Sequence, residues 1–310
     1  MDQYSNEFDV AGAIKTTEPL AVKAEVNRIF HELYPNARTD ALNTAFNDAT
    51  AMYRGEFPGF MVCDTAYHDI QHVLDVTLAM ARLIDGYERG RIGTESINER
   101  LFHLGVVTAL FHDIGYLRRN NDEKKVTNGA EFTLIHVSRG AQFLREYMPR
   151  LGMPDMANIA AALIHFTGYE RPVASIEVPG LIYRLLGNLL GSADIIAQMA
   201  DRCYLEKCRD RLYPEFLAGG LTKKRDGSGN EITVFSSGED LVRKTPGFYA
   251  GATHRLQHDL GRGYEYAESH FRGQNLYIEE VNKNIRFAEQ IATDPELSAL
   301  RRQPPETLTP

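Results

Sequence analysis

Apolar residues recur three and four apart along most of the chain, and alternating runs of any length are absent. That spacing gathers the apolar positions on one face of an α-helix. It predicts helices near 19–34, 39–53, 67–89, 96–115, 129–148, 154–167, 179–198, 199–217, 240–260 and 274–293. The stretch Asn98–Phe111 is apolar nearly all round at its C-terminal end, which places it in the middle of a bundle. Pro154 and Pro179 stand where a helix can start after a break. The expected fold class is all-α, a helical bundle with additional C-terminal helices.

The pattern lapses in three places. Residues 218–238 are rich in glycine and charge and read as a loop insertion, with Glu231–Phe235 able to form one arm of a short hairpin. Residues 1–18 and 301–310 read as a flexible segment and a disordered tail. No repeat or linker divides residues 19–300, so a single domain is expected there.

Composition narrows the function classes. A formal net charge of −8 over 310 residues argues against a general nucleic-acid binder, which carries a basic excess. It leaves room for a small anionic substrate, because bound metal dominates the field of a cleft. Cys63, Cys203 and Cys208 make neither a disulfide framework nor a metal knuckle. Reduced thiols, a polar N-terminus unlike a secretory signal and no membrane-length apolar run lead to an expectation of a cytoplasmic protein without membrane partners.

Polar residues inside apolar helices carry the chemistry. His112 and Asp113 are adjacent in Ala109–Tyr116 and offer one neutral nitrogen ligand and one carboxylate able to bridge two ions. His68, His72 and Asp75 lie four and three apart, so on a helix they share a face. His136, His165 and Asp194 follow, each in a separate predicted helix. Buried imidazoles and carboxylates must be paired, hydrogen-bonded or metal-bound. Six candidate ligands (His72, His112, Asp113, His136, His165, Asp194) suit two divalent ions of the Mn, Fe or Zn type better than Mg. Asp75 is read as orienting a ligand histidine, with a helix-face ion pair as the alternative. His31, His103 and His270 are read as packed histidines, and His254 and His258 as a surface pair. Tyr116, Arg118, Arg119, Gln198 and Arg202 are candidate substrate contacts, the two arginines 118 and 119 because guanidinium matches phosphate. A solvated loop, with Lys124 and Lys125, is the competing reading of that basic stretch.

The pattern His72, His112–Asp113, Asp194 resembles the HD superfamily of metal-dependent phosphohydrolases, over about residues 60–205. The run Tyr67–Val76 looks like the YHxxxHxxDV motif of class I cyclic-nucleotide phosphodiesterases, and His136–Ala141 looks like the HxxxGx run of HD-GYP-type proteins. The resemblance implies an HD-type helical domain and phosphodiester hydrolysis through a metal-bridging hydroxide, with Asp113 as the bridge and His68 as general acid. It implies a small phosphorylated substrate of nucleotide type. A di-iron oxygenase resembling myo-inositol oxygenase, using the same ligands, stays open, as does a non-catalytic nucleotide sensor. The C-terminal helices are a candidate homodimer surface, although no heptad seam marks them.

Overall fold

The computed structural model describes residues 6–306. Its first two helices are α1 (Pro19–Leu33) and α2 (Asp40–Tyr53). Helix α1 begins at a proline and buries Val22, Val26, Ile29 and Phe30, the stripe that its spacing dictates. Helices α3 (Ile70–Gly90), α4 (Glu99–Leu110) and α7 (Leu181–Ala200) form the centre of the bundle. Both α3 and α4 start at a side-chain cap: Asp69 accepts from the His72 amide and Asn98 from the Leu101 amide, each at 3.0 Å. From Leu101 to Leu110, His103 alone is less than fully buried, as the all-round apolar pattern requires. His103 stacks on Phe30.

Between α4 and α7 lie α5 (His136–Tyr147) and α6 (Ala157–Leu163). After α7 the chain runs through α8 (Tyr204–Lys207), a π-helical turn over Cys208–Leu212, and α9 (Tyr213–Ala218). Strands β1 (Lys223–Arg225) and β2 (Glu231–Thr233) then pair antiparallel with Lys223 opposite Thr233, so the 218–238 insertion forms the short hairpin its composition allows. Helices α10 (Gly238–His254), α11 (Tyr266–His270) and α12 (Leu276–Ala292) close the chain. Helix α11 packs on α3, and α12 packs on α7 and α10. The fold is all-α apart from that hairpin. One apolar core runs from Val22 to Leu300. Among the described residues no helix is long and apolar enough to cross a membrane, and Cys63, Cys203 and Cys208 are buried and unpaired.

Several helices are shorter than the apolar spacing predicts, and the differences fall where the candidate ligands lie. The 67–89 prediction starts at Ile70 because Asp69 caps it, which leaves His68 outside the helix. The 96–115 prediction ends at Leu110, and Ile114–Tyr116 turn as a tight 3-10 helix. His136 stands at the first position of α5 rather than inside it, and His165 lies in a 3-10 turn after α6. Helix ends and tight turns free these side chains from the helix cylinder.

Both expected flexible ends are packed where they are described. Phe8 and Lys15 bridge as an antiparallel pair, and the Asp9 carboxylate accepts from the amides of Ala13 and Ile14 at 2.8 Å. Asp9 also pairs with Arg82, the two being 8% and 2% exposed. At the other end Arg211 donates to the Pro305 carbonyl, and the Arg302 amide donates to Glu206. A buried ion pair at one end and hydrogen bonds to backbone groups at both anchor these segments, which is why their sequence reads as loose. Residues 1–5 and 307–310 lie outside the described residues.

Burial opposes ionisation of Asp9, but Arg82 and the two amides outweigh it and hold its pKa below the usual carboxylate value. A lowered folded-state pKa contributes stability above the unfolded pKa and loses it as pH falls through the folded one. Asp9→Asn strands a buried guanidinium and is expected to cost about 3 kcal/mol or more. Chemical denaturation at neutral pH checks this, and the gap between variant and wild type should narrow in acid.

Candidate active site

The His112–Asp113 turn is built by close packing. A Cβ at Gly115 would sit 1.9 Å from the His136 carbonyl oxygen, so only glycine lets the first turn of α5 approach the turn after α4. Arg139 fastens the two together. Its guanidinium donates to the carbonyls of Gly115 (2.8 Å) and Leu117 (3.0 Å) and pairs with Asp122 at 2.9 Å.

This packing brings four elements to one point. The Nε2 atoms of His72, from α3, and His112 lie 3.3 Å apart. Asp113 Oδ2 is 3.3 Å from the first and 3.1 Å from the second. Asp194 on α7 adds Oδ1 at 3.6 Å from His72 and 3.9 Å from His112. The other oxygen of Asp113, Oδ1, faces His136 Nε2 at 3.6 Å. The carboxylate thus looks two ways, toward a tight His72–His112–Asp113 group and toward His136.

The tautomers show what fits between these groups. His112 Nδ1 donates to the Ala109 carbonyl at 2.8 Å, and His136 Nδ1 to the Thr133 carbonyl at 2.6 Å. In the neutral imidazole each Nε2 then carries its lone pair toward Asp113. Lone pairs facing a buried carboxylate require positive charge among them. Burial acts to lower the His112 pKa, yet Asp113 and Asp194 push it up to about 9. A proton answers that demand for one pair, whereas a cation answers it for all three groups at once. Burial keeps the His136 pKa below its ordinary value despite Asp113, leaving a neutral ligand nitrogen. The group of His72, His112 and Asp113, with His112 Nδ1 anchored on a carbonyl, therefore fits a divalent transition metal.

Other expected site residues fall into two groups. His68, Tyr116 and Gln198 reach the site. They line a cavity of about 690 Å³ that opens from the metal end, together with His72, Asp113, His136 and Asp194. Tyr116 is stacked between His68 and His136, each ring centroid 4.3 Å away. Gln198 accepts from the Tyr67 hydroxyl at 3.4 Å.

The rest are held elsewhere. His165 is buried and its Nδ1 hydrogen-bonds Glu170 at 2.6 Å, and it is not among the grouped ligands His72, His112 and Asp113. Asp75 does not orient a ligand histidine. Three residues along a helix leave a 60° offset from His72, enough to turn Asp75 into a separate small cavity under the N-terminal segment. There it bonds Thr16, and burial, opposed by Lys207, pushes its pKa up to about 7. Arg118 pairs with Asp64 at 2.6 Å, and Arg119 lies over Phe60 and Phe143. Arg202 lines the small cavity and faces Glu280 at 3.9 Å. None of these three arginines lines the large cavity. His270 is held by Asp85, and His254 stacks near His258 away from the site.

Sequence spacing missed Glu215, which is 147 residues from His68 yet bonds it at 2.5 Å between Oε2 and Nδ1. Its Oε1 also accepts from the Tyr67 and His68 amides. The one local sign was an acidic residue in the apolar run Tyr213–Leu217, and Glu215 is indeed buried. Burial opposes protonation of His68, but the Glu215 charge and hydrogen bond override it, so the His68 pKa lies above the ordinary imidazole value. Its Nε2 is thereby left as the proton-carrying atom on the cavity side. Equally unforeseen is the cavity's far wall, which α8, α9, the hairpin strap and α10 supply.

The chain has the fold of a phosphodiesterase domain. Two solved structures match it, both of the phosphodiesterase domain of a rhodopsin phosphodiesterase from the choanoflagellate Salpingoeca rosetta. Each has a TM-score of 0.54 at 13% identity, over 94% of this chain and 96% or 92% of the other. The chain belongs to the Npun_R2479-like family, whose model matches residues 24–290. No curated protein matches its sequence.

Proposed function

We propose that this protein is a metal-dependent phosphohydrolase of phosphodiesterase type, related in site chemistry to the HD superfamily that its motifs resemble. The observation that carries this reading is the pairing of a metal-fitted cluster with His68, whose Nδ1 is held by Glu215 at 2.5 Å, in one cavity. Cleavage of a P–O bond to an alkoxide leaving group draws directly on such a proton donor, so the dyad favours hydrolysis.

His72, His112, Asp113 and Asp194 would hold one divalent ion, and Asp113 Oδ1 with His136 faces a second position. Metal bound there would lower the pKa of water and neutralise phosphoryl oxygens. The chain's residues do the rest. A water oxygen bonds to phosphorus and loses one proton to solvent, while the opposite P–O bond breaks. His68 Nε2 delivers its proton to the departing oxygen, and Glu215 stabilises the imidazolium until then. Tyr116, whose pKa burial and Asp113 drive well above the phenolic value, stays neutral and fixes the His68 ring by stacking.

Hydrolysis of bis-p-nitrophenyl phosphate by protein purified without oxygen tests the reading. Activity is expected after reloading with Mn²⁺ and is expected to vanish on chelation. Metal should also raise the unfolding temperature, because it binds only the folded state. Fully metallated protein that hydrolyses no phosphodiester would sink the proposal.

A further inference from the structure

The cavity is much larger than a phosphoryl group, and its lining away from the metal end is unlike the lining a nucleotide needs. The cap contributes Tyr204, Leu212, Phe216, Phe235, Leu241 and Phe248. Several polar residues in the wall are already engaged within the protein. The hydroxyls of Thr133, Thr167 and Thr245 donate to carbonyls three or four residues back along their own backbone, those of Ala130, Ile164 and Leu241. Each hydroxyl thus has its donor hydrogen used within the protein. Among the described residues Lys244 is the one Lys or Arg in the lining, and its Nζ is taken by the Val234 carbonyl (2.7 Å) and Asp240 (2.9 Å). Asp113, Asp194 and His68 belong to the metal end, which leaves Glu170 as the acidic residue elsewhere in the lining. Away from the metal end such walls offer few partners to further phosphates or to the polar edge of a base. At the mouth, Leu134 and Tyr169 are 73% and 64% exposed and continue the apolar surface outward.

We infer that the substrate is an amphiphilic phosphoester: one phosphate at the metal end, joined to a bulky alkyl, isoprenoid or aryl group that fills the capped chamber. This rests on the hydrolase reading above and replaces the nucleotide expected from the sequence with a different organic group. A buried polar group without a partner is costly, whereas each buried methylene favours binding about three- to fourfold.

The test uses the Mn²⁺-loaded full chain and a series of alkyl p-nitrophenyl phosphodiesters from methyl to hexyl. kcat/KM is expected to rise at least about thirtyfold across the series. Phe248→Ala should reduce the hexyl-to-methyl ratio. In parallel, calorimetry compares hexylphosphonate with methylphosphonate on the Mn²⁺-loaded protein, since neither carries an ester bond to hydrolyse. Tighter binding of the hexyl compound supports the inference even if nothing is turned over, and in that case the hydrolase reading alone fails. Hydrolysis that ignores chain length, with equal binding of both phosphonates, overturns the inference and leaves the hydrolase reading standing. Preference for a cyclic mononucleotide over the hexyl ester overturns it as well.

Discussion

Asp113→Ala is expected to abolish phosphodiester hydrolysis, with kcat/KM falling by about 10³-fold or more, because several kcal/mol of metal-borne charge stabilisation are lost. The size of the effect follows from position. Oδ2 lies within 3.3 Å of both His72 and His112. Oδ1 faces His136. One substitution therefore removes the anion shared by the His72–His112 group and His136. Metal content after dialysis should fall with activity, and the stabilisation by Mn²⁺ should disappear. Asp113→Asn keeps the shape of the site and guards against loss through misfolding. It should bind metal far more weakly, since an amide carries no charge. Normal metal retention by both variants would mean that the metal lies elsewhere.

The second large effect is expected at His68. His68→Ala should lower kcat by about 10²- to 10⁴-fold for an alkoxide leaving group, the usual range for general acid catalysis. With p-nitrophenolate, which leaves without a proton, the loss should be much smaller. That contrast separates a proton donor from a residue that merely holds the substrate. The pH profile gives a second check. Glu215 keeps the His68 pKa raised against the effect of burial, so the acid form persists above the ordinary imidazole range. Activity should fall as pH rises through that raised pKa. Glu215→Gln removes the charge, and the descending limb should move to lower pH. A limb that stays in place in Glu215→Gln would assign the titration to another group.

The helical class and most helices were legible from spacing, because a 3.6-residue period is written locally. His112 and Asp113 were legible too, as charged and polar groups at the end of an almost wholly apolar helix. His72, His136 and Asp194 followed from the same contrast between residue and surroundings. Helix ends were less legible, and they mattered. A cap at Asp69 takes His68 off the helix, so its shared face with His72 does not exist, although His68 still reaches the cavity from the preceding turn.

The chain's order of residues thus specified the bundle and the cluster of His72, His112, Asp113 and Asp194, since both depend on local periodicity and on polar groups that burial makes conspicuous. Long-range packing settled the rest. Glu215 meets His68 across 147 residues. The same packing turns Asp75 and the three arginines away and holds His165 on Glu170. It also folds the C-terminal helices over the site as an apolar chamber. No local pattern encodes which distant side chain fills a given space. That choice is made by the fit of whole faces, where a 60° rotation or a single glycine determines which groups touch.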